Sequence, residues 1–177
     1  FEKNRFIVTA LNNVNLKLCE GDKVGILGDN GSGKTSLLKL CSGAYIPDIG
    51  ECITKGKITS LIDVNMGFDD DATGYENVIL KGLLLNKTPN ELKKSFPKIE
   101  EISGLNEFLN LPLRTYSSGM RMRLAYAIAV IDVPEILIMD EWISAVDKNW
   151  LESRNNIFEK FLSSSKIVMI ASHSNDL

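Results

Sequence analysis

The chain has 177 residues, 44% of them hydrophobic and 24% charged, with a formal net charge of −3; this suits one compact domain with a proper core and a small attached subdomain. No Lys/Arg block stands out, which argues against nucleic acid as a partner, and no apolar run approaches the ~20 residues of a membrane-spanning helix, so a soluble domain is expected. Cys19, Cys41 and Cys52 lack metal-ligand spacing and are expected to be small buried thiols in a reducing compartment.

Along the chain, Val14, Leu16 and Leu18 alternate as a half-exposed strand would. Glu20-Gly21-Asp22 then forms a turn into a short buried strand over Lys23–Leu27. Directly behind it stands Gly28-Asp29-Asn30-Gly31-Ser32-Gly33-Lys34-Thr35, the complete pattern G-x-x-x-x-G-K-[ST], followed by helix-forming residues from Ser36 to Cys41. Strand, loop and helix together are what a phosphate-binding loop requires. Glycines let successive N–H groups wrap a phosphate, and the new helix contributes its positive end. Lys34 is expected to reach the outer phosphates and the Thr35 hydroxyl to hold Mg²⁺. A bare glycine-rich turn with a stray lysine would have neither the strand nor the helix.

Pro47, Gly50 and Gly56 punctuate the next stretch, with short strands expected over 51–54 and 57–62. The chain then changes character. Thr73-Gly74-Tyr75-Glu76 and Thr88-Pro89-Asn90-Glu91 are two capping boxes, each opening an apolar helical face. Pro97 falls near the middle of the second helix and weakens it. Residues 69–116 therefore read as a helical insertion.

A third helix is expected over 118–131, opened by Ser117, Ser118 and Gly119, which serve as a helix cap or as a second anion site. The apolar strand Ile136-Leu137-Ile138-Met139 ends in Asp140-Glu141. Because ligands in open α/β sheets bind at strand carboxyl ends, Asp140 is expected beside the phosphate loop as a Mg²⁺ ligand, with Glu141 polarising a water for in-line attack. A further helix over 147–162 leads to a strand over 166–171 and then to His173, the single histidine. Its place at a strand end suits a group that contacts the γ-phosphate and orients Glu141.

In this order the motifs resemble the nucleotide-binding domain of ABC transporters. Phosphate loop, helical insertion, Ser117-Ser118-Gly119-Met120-Arg121 signature, acidic strand, Ser144-Ala145-Val146-Asp147 D-loop and Ser172-His173 switch span nearly the entire chain. Tyr116-Ser117-Ser118-Gly119-Met120 and the stretch from Ser60 to Phe68 look like the polysaccharide-export branch, where a carboxylate such as Asp63 stands in place of the usual glutamine. The resemblance implies an α/β fold: a P-loop NTPase core (1–68 and 117–177), an ABC-type helical subdomain (69–116) and an antiparallel β edge. Both ends look cut.

It further implies ATP and Mg²⁺ as ligands. Gly28, Asp29, Asn30, Gly31, Ser32, Gly33, Lys34, Thr35 and Ser36 would bind nucleotide, and Ser117, Ser118 and Gly119 would complete a partner's site. Thr35, Asp63 and Asp140 would hold the metal; Glu141, His173 and Lys34 would act in hydrolysis. An aromatic normally stacks on adenine, and either Phe1 or Phe6 could supply it. The implied protein is a homodimer joined through its nucleotide sites, attached to membrane-spanning permease subunits on the cytoplasmic face. ATP hydrolysis would there drive export of O-antigen, capsule or teichoic acid type polymers. Transport of another substrate, a non-transport ATPase of the same fold and a non-hydrolysing nucleotide sensor are the competing readings; the intact Lys34, Asp140, Glu141 and His173 argue against the last.

Overall fold

The computed structural model describes residues 8–63, 66–85, 87–140, 150 and 152–173. Among the described residues, four strands, β1 (Lys23–Leu27), β2 (Ile58–Leu61), β3 (Ile136–Asp140) and β4 (Ile167–Ser172), form one sheet in the order β1-β4-β3-β2. Each pairing is parallel, with Leu27 beside Ser172, Asp140 beside Ala171, and Leu61 beside Met139. Parallel strands bury both faces, which is why β3 reads as a continuous apolar run. The pleat divides that run. Ile136 and Ile138 join Met169, Ala171 and Leu38 on one face, while Leu137, Met139 and Val168 join the main core on the other.

Leu38 belongs to α1 (Lys34–Cys41), which covers the first face. The second face carries α4 (Ser118–Ala129), whose Leu124, Tyr126, Ala127 and Ile128 are buried. Between β2 and α4 runs a helical arm, made of α2 (Gly74–Leu84), α3 (Pro89–Ser103) and two 3₁₀ turns, Asn106–Asn110 and Leu113–Thr115. Both expected capping boxes form, each with reciprocal bonds: the Thr73 and Thr88 backbone N–H groups each donate to the Glu76 and Glu91 carboxylates at 2.8 Å. Helix α3 continues through Pro97. Losing one backbone bond there is offset by Leu92, Ile99 and Ile102, all buried to within 1% of complete.

The loop entering the arm is built around Asn77, which is fully buried. Its side chain accepts from the Asp69 N–H at 2.7 Å and donates to the carbonyls of Asp69, Ala72 and Thr73 at 2.8–3.0 Å. At the other end of the arm, α5 (Asn155–Ser164) and Trp150 close the last turn of α3. Trp150 Nε1 donates to the Ser103 carbonyl at 3.2 Å, and the Arg154 guanidinium donates to the carbonyls of Ile102 and Glu101. A cation bonded to the last carbonyls of a helix satisfies orphan acceptors and complements the dipole.

Several sequence expectations shift. Residues 8–20 form no strand, and neither does 51–54, so among the described residues the sheet has no antiparallel edge. Alternation marks a strand only where a neighbouring edge takes its hydrogen bonds; here Val8 to Leu11 lie against the phosphate loop instead. Helix α4 ends at Ala129, short of the expected 131. Of the helix expected over 147–162, the described part runs Asn155–Ser164. Cys19 and Cys52 are exposed and only Cys41 is partly buried. Burial, with the neighbouring Cys52, pushes the Cys41 thiol up to about 11.

Candidate active site

The loop between β1 and α1 is shaped by contacts that only glycine permits. Gly33 caps α1 in a left-handed conformation, φ +94°, and a Cβ there would lie 2.6 Å from the Ala10 carbonyl oxygen. A Cβ on Gly28 would meet Ser32 Oγ at 2.7 Å. The loop is closed by the Ser32 N–H donating to the Asp29 carbonyl at 3.1 Å.

Lys34 opens α1 and is buried, its ammonium folded back to donate to the carbonyls of Gly28 at 2.7 Å and Asp29 at 3.1 Å. Holding the loop's own carbonyls, it concentrates positive charge within the concavity. The next residue, Thr35, donates its hydroxyl to the Asp140 carboxylate. Asp140 is the last residue of β3, and the parallel register brings it out at the same sheet end as the loop. A cleft of about 600 Å³ opens over these groups, lined by Val8, Thr9, Ala10, Asn30, Gly31, Gly33, Lys34, Thr35, Ser36 and Asp140.

This arrangement suits a nucleoside triphosphate with its metal. The glycine cradle, the helix N-terminus and Lys34 address phosphate oxygens. The paired oxygens of Thr35 and Asp140 are hard donors of the kind Mg²⁺ takes. Val8, Thr9 and Ala10 were not anticipated from sequence. Their residue types carry no chemical signal, and they reach the cleft only because the preceding chain crosses the loop.

Other expected residues stand elsewhere. His173 is exposed, immediately after Ser172, which pairs with Leu27 at the end of β1. Asp63 follows β2 at the same sheet end and is exposed, but it does not line the cleft. Its carboxylate faces Lys81 of α2, whose ammonium also lies 4.3 Å over the Phe68 ring. Burial pushes that ammonium down to about 8, against the pull of Asp63. Ser117, Ser118 and Gly119 lie on the arm side at the start of α4, where Ser117 Oγ accepts from the Met120 N–H at 3.2 Å. They do not line this chain's own cleft. Glu141, Ser144, Ala145, Val146, Asp147, Phe1 and Phe6 lie outside the described residues. No described helix is long and apolar enough to cross a membrane.

Comparison with known proteins agrees with this geometry. The family model described as ABC transporter matches residues 11–144. The O-antigen export system ATP-binding protein RfbE of Yersinia enterocolitica is 40% identical over 170 residues, 96% of this chain and 71% of that protein. RfbB of Myxococcus xanthus, also an O-antigen export system ATP-binding protein, is 40% identical over 94% of this chain and 38% of its own length. The teichoic acids export ATP-binding protein TagH of Listeria innocua is 38% identical over 93% of this chain and 49% of its own length. The chain thus spans less than half of the last two proteins.

Among solved structures, a dimeric ATP-binding cassette, MJ0796, superposes with a TM-score of 0.79 at 26% identity, covering 98% of this chain and 84% of that one. A post-hydrolysis dimer of the same cassette, bound to ADP and Pi, gives 0.77 at 24% identity with the same coverage, a likeness of fold. On the family match, the extent of the RfbE alignment and the shared fold, the chain belongs to the ABC transporter family, as one of its ATP-binding cassettes.

Proposed function

We propose that this cassette hydrolyses ATP in a head-to-tail dimer and thereby drives export of a polysaccharide or lipid-linked glycan through membrane-spanning permease subunits. The observation that carries the reading is the convergence of Lys34, Thr35 and Asp140 on one phosphate-shaped cleft. The names of the 38–40% identical relatives support the substrate class. Residues 69–116 form the arm that transmits closure, between core portions at 1–68 and 117–177.

In this reading, residues 28–36 bind the phosphates, with the Lys34 ammonium balancing charge at the outer ones. Thr35 and Asp140 would hold Mg²⁺, with Asp63 a further anionic ligand approaching from β2. The metal, when bound, neutralises charge on the phosphate oxygens. Glu141 accepts a proton from the attacking water, and His173 orients that water and the γ-phosphate. Ser117, Ser118 and Gly119 address the γ-phosphate held by the partner, through hydroxyls and a helix N-terminus. Each site then needs both subunits. The working position is peripheral, on the cytoplasmic face of the cell membrane, beside the permease.

Glu141→Gln tests the hydrolytic assignment. Turnover should fall by two orders of magnitude or more, while ATP binding persists and the dimer becomes stable enough to isolate. Unchanged turnover would remove Glu141 as the base. ATPase activity measured with and without the permease separates a transport-coupled cassette from a free-standing ATPase.

A further inference from the structure

Helix α4 begins with the signature serines and has no acidic residue in its first turn. Arg121 sits just beyond that turn, its N–H donating to the Ser117 carbonyl at 3.0 Å. A cation near a helix N-terminus opposes the dipole, so its charge is expected to be matched from elsewhere. It is matched by the loop entering the arm. Arg121 Nη1 donates to Asp70 Oδ1 at 2.5 Å, and Nη2 donates to the Leu113 carbonyl at 3.0 Å.

The same loop is joined to the chain just before the signature. The Arg114 N–H donates to the Asp70 carbonyl at 2.9 Å, and the Arg114 guanidinium pairs with Asp71. The loop cannot drift independently, because buried Asn77 fixes its backbone on both sides. It is also the continuation of the segment that leaves β2 past Asp63. Asp70 thus lies on the connection that follows β2 and meets Arg121 near the start of α4.

We propose that Asp70 and Arg121 are a positioning pair that aims the signature serines at the nucleotide of a partner subunit. Neither residue lines this chain's own cleft. Arg121 is tied at one end to the Ser117 carbonyl through its own backbone and at the other to Asp70 through its side chain, so the orientation of the Ser117 cap follows the loop. This rests on the head-to-tail reading above. A part-exposed ion pair contributes little to folding, which makes a signature-specific effect separable from loss of fold.

The test uses the full-length chain carrying Glu141→Gln, with ATP-driven dimerisation followed by sedimentation and ATP binding to dilute monomer followed with a fluorescent analogue. Asp70→Ala should leave monomer binding and thermal midpoint near the parent's. At saturating ATP it should raise the dimer dissociation constant roughly tenfold, since a loss of about threefold at each of two equivalent sites multiplies. Asp70→Glu should restore most of this, as should the exchange of Asp70→Arg with Arg121→Asp. The defect should shrink in high salt, where exposed charges are screened.

Unchanged dimerisation in Asp70→Ala would overturn the inference. So would a parallel loss of monomer binding, which would make the pair a general structural tie. If Glu141→Gln alone fails to dimerise with ATP, the head-to-tail reading falls and takes the positioning role with it.

Discussion

The Thr35 hydroxyl donates to the Asp140 carboxylate across 105 residues of sequence, joining the first turn of α1 to the end of β3. The two meet because β1 and β3 flank β4 in a parallel sheet, so all three strands deliver their next residues to one end. The meeting of these two hard oxygen donors is therefore a consequence of strand order.

Asp140→Asn should accordingly act on metal-dependent binding and leave the fold intact. Asn can still accept from Thr35 but brings no charge to a divalent cation. Nucleotide affinity measured with Mg²⁺ should fall by roughly tenfold or more, in line with the loss of a charge-assisted contact. Affinity measured with a chelator present should change little. An equal loss in both conditions would mean that Asp140 supports the loop and does not serve the metal.

A second ion-paired joint governs acid stability. Asp132, just past α4, pairs with Lys57 at 2.9 Å beside β2 and with Lys87 between α2 and α3. Partial burial raises its pKa, but hydrogen bonds from Lys87 and Lys57 outweigh that, and the carboxyl is held below its ordinary value. A depressed carboxyl stabilises the fold above its unfolded pKa of about 3.9 and loses that contribution as pH falls through the folded value. Because Asp132 is over a third exposed, its contribution is expected to be at most about 1 kcal/mol. Denaturant midpoints for Asp132→Asn should lie below the parent's at pH 7 and converge with them as pH falls below the ordinary carboxyl value of about 3.9. A constant gap across that range would assign the effect to packing.

What could be read from the sequence depended on whether the signal was local. The capping boxes at Thr73 and Thr88, the strand and helix that flank the loop from Gly28 to Thr35, and the buried strand at Ile136 each carry their signal within a few residues, and all form as expected. Residues 8–20 failed because alternation alone does not supply a neighbouring strand. Asn77 was overlooked for a related reason. One asparagine in a helix carries no mark, yet here its amide organises a five-residue loop through bonds visible only in three dimensions. Arg154 is similar, since the α3 carbonyls it reaches lie about fifty residues earlier.

The arm's internal packing gives a prediction in which two effects oppose each other. Gly82 lies inside α2, where Gly→Ala alone would favour the helix by about 1 kcal/mol. A Cβ at that position would stand 2.2 Å from Leu92 Cδ2 and 2.5 Å from Leu92 Cδ1, and Leu92 is fully buried with little room to yield. Overpacking of this kind costs about 1–3 kcal/mol, so the helix preference should be outweighed. Gly82→Ala should therefore lower the denaturant midpoint, with a net loss of about 1 kcal/mol. Leu92→Ala alone should cost about 2–5 kcal/mol through the cavity it leaves. In the double variant the new methyl enters that cavity, so the combined loss should be smaller than the sum by about 1 kcal/mol. Strict additivity would show that α2 and α3 do not meet at this pair of residues.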